Sequence, residues 1–165
     1  MNLVDTRTRK PLISFLLTLA VFQVVGGFLG FISGPAIDGW YASLVKSPLN
    51  PPGAVFGIVW PILYALLAFS FWTIWKKPDS QARTHILYLF AAHMVLNWAW
   101  SPLFFVAHQV LAALIVIFIM IFSAAMLLWL IWPISRTAAL VFLPYIAWLT
   151  FAGHLTHFIL QNYTP

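Results

Sequence analysis

Few side chains in this 165-residue chain could perform acid–base chemistry. Its long apolar runs enclose histidines as their ionisable groups: His93, His154 and His157, with His85 and His108 at run ends. Ionisable residues inside a bilayer usually mark proton or ion paths. No carboxylate shares a run with them, so a pump or a coupled ion transporter lacks a necessary part. A hydrolase would likewise lack the acid that orients a catalytic histidine. Haem ligation by His93 with His154 or His157 is disfavoured by depth. His93 lies about 21 Å down its helix at 1.5 Å per residue, whereas the other two are shallow. Cysteine is absent, which removes disulfides and thiolate sites; no metal centre is expected.

The abundant chemical group is indole, with nine Trp beside 15 Phe and five Tyr. Trp72, Trp75, Trp129 and Trp132 close apolar runs, as expected of an interfacial aromatic belt. Trp60, Trp100 and Trp148 lie about 9, 10 and 18 Å inside their runs, too deep for a belt. Residues three and four apart share a helix face. That spacing pairs Trp60 with Tyr64, groups His93, Asn97, Trp100 and Phe104, and groups Tyr145, Trp148, Ala152 and Leu155. Aromatic faces carrying a few hydrogen-bonding groups suit a pocket for a flat, mostly apolar ligand. Asn97 should turn into the bundle, with a plain helix–helix hydrogen bond as its alternative role.

The elements that must position these groups follow from composition. The chain is 63% hydrophobic and 7% charged, against about 25% charged in soluble domains. A soluble enzyme is excluded, and so is intrinsic disorder. Five uncharged stretches, 12–32, 54–75, 86–107, 110–132 and 137–160, each match the roughly 20 residues of a bilayer span. Backbone in hydrocarbon must satisfy itself, so they are helices, and the alternation of barrel strands is missing. The expected fold is an all-α membrane protein, a single five-transmembrane-helix domain over 1–165. The first stretch exceeds a signal-peptide core and is expected to be retained. Arg7, Arg9, Lys10, Lys76, Lys77, Arg83 and Arg136 fall on one side of this topology, and Lys46 on the other. The bias predicts a multi-pass protein with a cytoplasmic N-terminus and an exported C-terminus. It explains the net charge of +5 without a nucleic-acid partner.

The remaining punctuation is local. The segment 33–53 reads as a lid loop on the exported side, stiffened by Pro35, Pro48, Pro51 and Pro52 and carrying Asp38, Trp40, Tyr41 and Lys46. Pro61, Pro102 and Pro144 should free the carbonyls of Gly57, Trp98 and Leu140 and kink their helices. Asn50 before Pro51-Pro52 is the expected N-cap of the second helix. Gly26, Gly30 and Gly34 form a small-residue stripe suited to close helix approach, within the monomer or in a dimer.

Taken together, these features resemble the tryptophan-rich sensory protein family, TspO, whose animal members are the translocator proteins or peripheral-type benzodiazepine receptors. Trp40-Tyr41 with Lys46 looks like the family's first-loop WY…K. Asn50-Pro51-Pro52, Val55-Phe56, Trp60 and Leu63-Tyr64 look like its NPP…VF…W..LY. Asn97, Trp100, Pro102 and Phe104-Phe105 resemble its N..W.P.FF, and Pro144-Tyr145 with Trp148 its PY..W. Leu49 stands where the family usually has Trp, and Leu155-Thr156 where it has Leu-Asn. No Lys or Arg follows Tyr163, so the proposed sterol pattern is absent there. The resemblance implies a homodimeric receptor or carrier for tetrapyrroles such as protoporphyrin IX, or for other flat hydrophobic molecules, in contact with membrane lipid. The implied ligand-binding residues are Trp40, Trp60, Tyr64, Asn97, Trp100, Phe104, Tyr145, Trp148 and Ala152, beneath the first loop. A porphyrin is then a ligand, and no cofactor is required. Two alternatives remain: light- and oxygen-dependent porphyrin breakdown with Trp100 or Trp148 as redox partner, the ligand supplying the chemistry, and sterol or lipid transport.

Overall fold

The computed structural model describes residues 11–163. Among them, five helices are long and apolar enough to cross a membrane: α1 (Pro11–Tyr41), α2 (Gly53–Trp75), α3 (Gln81–Val106), α4 (Val110–Ile131) and α5 (Arg136–Asn162). Short connections make sequential neighbours antiparallel. The tightest packing is between α4 and α5, whereas α1 lies on the outside and leans mainly on α2. The centre is apolar, built on Leu67, Phe90, Ile117, Leu127, Phe142 and Leu149. Arg7, Arg9 and Lys10, assigned above to the cytoplasmic side, lie outside the described residues.

Two boundaries differ from the sequence reading. Residues 33–41 are helical rather than looped, so the irregular part of the lid shrinks to 44–52. Gly34 and Pro35 look like a stop signal but do not act as one. The Ser33 hydroxyl sits 2.8 Å from that of Ser101 on α3, and Ile37–Tyr41 continues as a π-helical turn. Widened turns of this kind often occur at functional sites. The second difference is α3, which begins at Gln81 rather than 86. Arg83, counted above as a loop charge, is 5% exposed. Its guanidinium donates to the carbonyls of Ile74 (3.2 Å) and Trp75 (2.6 Å) and to Asp79 (2.6 Å). It thereby satisfies the last carbonyls of α2, which a helix end leaves orphaned.

The three intrahelical prolines behave differently from one another. Pro102 opens a π-helical segment, Pro102–Val106, closed by the Ala107 amide on the Pro102 carbonyl at 2.9 Å. Pro144 follows a break at Val141 between Arg136–Leu140 and Phe142–Asn162, so it sits in a first turn, where proline is tolerated. Pro61 breaks nothing: α2 runs unbroken through it.

Asn50 is not the N-cap of α2. That position is Pro52, with no side-chain cap. The Asn50 carboxamide instead accepts from the Tyr41 hydroxyl at 2.7 Å, which ties the end of α1 to the approach to α2. The aromatic belt lies at the opposite end of the bundle. There Lys76 stands 3.9 Å over the Trp72 ring and Arg136 lies 5.6 Å from that of Trp132. Such cation–π pairs suit residues that are half in hydrocarbon and half in water.

Candidate functional site: an aromatic cavity beneath the lid

A cavity of about 470 Å³ opens under the lid, between the lid halves of α1, α2, α3 and α5. Its volume falls in the roughly 300–1,000 Å³ range of small-molecule sites. Trp60 from α2, Trp100 from α3 and Trp148 from α5 all line it, together with Tyr64, Asn97, Phe104 and Ala152. Two residues named from the sequence are not on the wall. Tyr145 is fully buried one layer behind it. Trp40 packs outside it, stacked on His108 at 4.1 Å and edge-on to Phe104 at 5.4 Å.

Each indole is held differently. Trp60 packs against Tyr64 with ring centroids 5.6 Å apart. Trp100 donates its N–H to the Ala113 carbonyl of α4 at 3.1 Å and stacks on Phe104 at 5.0 Å with ring planes 9° apart. The π-helical turn after Pro102 is what presents Phe104 and Phe105 to the lid, where Tyr41 meets them at 6.0 and 5.4 Å. Trp148 sits edge-on to Phe56 at 5.6 Å, and its buried N–H has no partner.

Behind the wall runs a directed chain of hydrogen bonds. Tyr64 donates to the Asn97 carbonyl oxygen at 3.0 Å, and the Asn97 amide donates to the Tyr145 hydroxyl at 2.8 Å. The Tyr145 oxygen is 2.9 Å from His93 Nε2, and His93 Nδ1 is 2.7 Å from the Ser123 hydroxyl. Ser123 spends its own proton on the Met120 carbonyl at 3.1 Å. Its oxygen must therefore accept from Nδ1–H, which leaves Nε2 as the acceptor for Tyr145. This polar relay joins α2, α3, α5 and α4, and it fixes the orientation of the Asn97 amide at the cavity. Asn97 thus combines both roles weighed from the sequence. Both ring nitrogens of His93 are engaged by protein groups, while His154 and His157 lie exposed on α5.

Sequence reasoning missed several wall residues. Gln23 was the most legible, a polar side chain inside an apolar run. It lines the cavity, and its amide donates to the Pro61 carbonyl at 2.8 Å. Phe56, one turn before Trp60, was available from spacing alone. Gly27, Gly30 and Gly57 also line the wall, and glycine carries no side-chain signal. Lys46 donates to the Ala42 and Leu44 carbonyls at 2.8 and 3.0 Å. It therefore caps the end of the first helix and is not part of the wall.

Fold and cavity together define a class: a multi-pass membrane protein whose helices enclose an aromatic chamber of small-molecule size. The relatives narrow the class. The model of the TspO/MBR family matches residues 15–161. The chain is 36% identical over 142 residues to the translocator protein of Bos taurus, covering 84% of this chain and 83% of that one. It is 32% identical over 157 residues to the tryptophan-rich protein TspO of Chlorobaculum tepidum, covering 92% and 97%. To the tryptophan-rich sensory protein of Cereibacter sphaeroides it is 30% identical over 135 residues, covering 78% and 84%. The chain belongs to the TspO/MBR family.

Proposed function

We propose that this protein is a membrane receptor or carrier for a flat, largely apolar ligand of the tetrapyrrole class, held in the chamber beneath the lid. One observation carries the reading: indoles from α2, α3 and α5 converge with Tyr64 and Asn97 on one cavity of suitable size. Indole faces stack on a planar π-system, and the few polar groups fix its orientation. The names of the relatives, translocator and sensory, agree with a carrier or receptor. The remaining charges support the orientation expected from the sequence. Lys76, Lys77, Arg83 and Arg136 lie at the end of the bundle opposite the lid, so the lid faces the exported side.

The test is a titration of the purified protein with protoporphyrin IX, read by the ligand's absorbance shift and by tryptophan quenching. Saturable binding is expected. The joint Trp60→Phe and Trp148→Phe variant should weaken both signals. Unchanged affinity and quenching in that variant would place the ligand elsewhere.

A further inference from the structure

The cavity wall is uneven. Towards α3 and α5 it is built from buried or half-buried side chains. Between α1 and α2 it is bare backbone: Gly27 and Gly30 face the gap from one helix, and Gly53, Gly57 and Pro61 from the other. All of these are exposed even though they line the cavity. The sequence suggested that the α1 glycines allow close helix approach, and Gly26 does serve that purpose, against the Tyr64 ring. The others do not. At Gly27, Gly30, Gly53 and Gly57 no neighbouring atom lies within 4 Å of where a Cβ would stand.

Polar ties bound the gap at both ends. The lower one is the Gln23 amide on the Pro61 carbonyl at 2.8 Å, and the upper one is the Tyr41 hydroxyl on Asn50 at 2.7 Å. Between them no hydrogen bond among the described residues joins the two helices. Both helices lie within the membrane-crossing segments, and α1 exposes Val24, Phe28 and Phe31 beside the gap. A ligand dissolved among acyl chains therefore meets this side of the chamber without passing the lid.

We infer that the slit between α1 and α2 is a lateral window through which an apolar ligand passes between the hydrocarbon phase and the cavity, while the lid stays latched. The inference that protoporphyrin uses it rests on the function proposed above; the window itself does not. An apolar, poorly water-soluble molecule is already concentrated in the bilayer, so a side door supplies it without a desolvation step. Bare glycine backbone suits such a door because no side chain has to swing away as a planar molecule slides past.

The chain has no cysteine, so single thiols can be placed cleanly. Nitroxide labels on Gly30→Cys and Gly57→Cys in reconstituted bilayers should relax strongly with oxygen and weakly with a water-soluble nickel chelate, as at lipid-facing Val95→Cys. Gly30→Leu and Gly57→Leu, for which there is space, should slow both protoporphyrin uptake from vesicles and its release, each by about tenfold; a mere loss of affinity in the cavity would speed release instead. Tyr41→Phe, which unlatches the lid, should change neither rate. Labels at 30 and 57 reached by nickel, or by neither quencher, would overturn the window. Unchanged rates in both Leu variants, or faster exchange in Tyr41→Phe, would overturn the route. Should protoporphyrin not bind at all, the function proposed above fails, while the nitroxide result still decides the window.

Discussion

Adding one methyl group to α1 should have opposite effects at adjacent glycines. A Cβ on Gly26 would collide with Cε2 of the Tyr64 ring and stand 2.7 Å from Cδ2 and 3.0 Å from Cζ. The ring cannot easily retreat. Tyr64 is 8% exposed, its hydroxyl is bonded to Asn97, and Trp60 packs beside it. Overpacking of this kind costs about 1–3 kcal/mol. At Gly27 the same methyl meets nothing within 4 Å. Both substitutions gain the same helix preference of alanine over glycine, about 0.5–1 kcal/mol, so the difference between them isolates the collision. Gly26→Ala should therefore be less stable than Gly27→Ala by about 1–3 kcal/mol, a factor of roughly 5–150 in the unfolding equilibrium. Unfolding of both variants in mixed micelles with increasing SDS would measure it. A second background sharpens the test: in Tyr64→Leu the ring is gone, and the two alanine variants should agree within about 0.5 kcal/mol. Equal stabilities in the native background, or a gap that survives in Tyr64→Leu, would refute this account of how α1 seats on α2.

Other perturbations give separate readouts. Asn97→Leu removes the acceptor of Tyr64 and the donor of Tyr145 at once and should cost about 1–3 kcal/mol in the same assay. Arg83→Leu removes the guanidinium donor of the Trp75 carbonyl and leaves the Ile74 carbonyl with the Lys77 amide alone and should cost about 1–3 kcal/mol, whereas Asp79→Asn should cost under about 1 kcal/mol because Asp79 is 70% exposed. Comparing the SDS midpoints of these two variants checks whether the carbonyls or the ion pair matter more. Tyr41→Phe breaks the bond to Asn50 and should raise amide exchange in 44–52 by up to about tenfold with little change in global unfolding, which hydrogen-exchange mass spectrometry would resolve.

How much of this was legible in the sequence depends on the kind of signal. Span number and helical type were written in composition, because hydrocarbon forbids unpaired backbone and charge. Trp60, Trp100, Trp148, Asn97 and Phe104 could be grouped because helical periodicity is local. The limits of the lid could not be read, since Gly34 and Pro35 signal a break that the Ser33–Ser101 contact and the aromatic packing on α3 override. Asn50 shows the same limit: its residue type suits a cap, but the partner that takes it is Tyr41, brought near by the return of the chain.

By itself, then, the sequence determined a five-helix membrane bundle and the faces that carry its aromatic and polar groups, because those depend on burial in lipid and on the pitch of one helix. Tertiary structure alone decided that Tyr145 stands behind the wall, that His93 completes a relay to Asn97, and that one α1 glycine packs while its neighbours border a gap. Each of these is a relation between helices, set by crossing geometry and side-chain reach, and none is encoded at any single position.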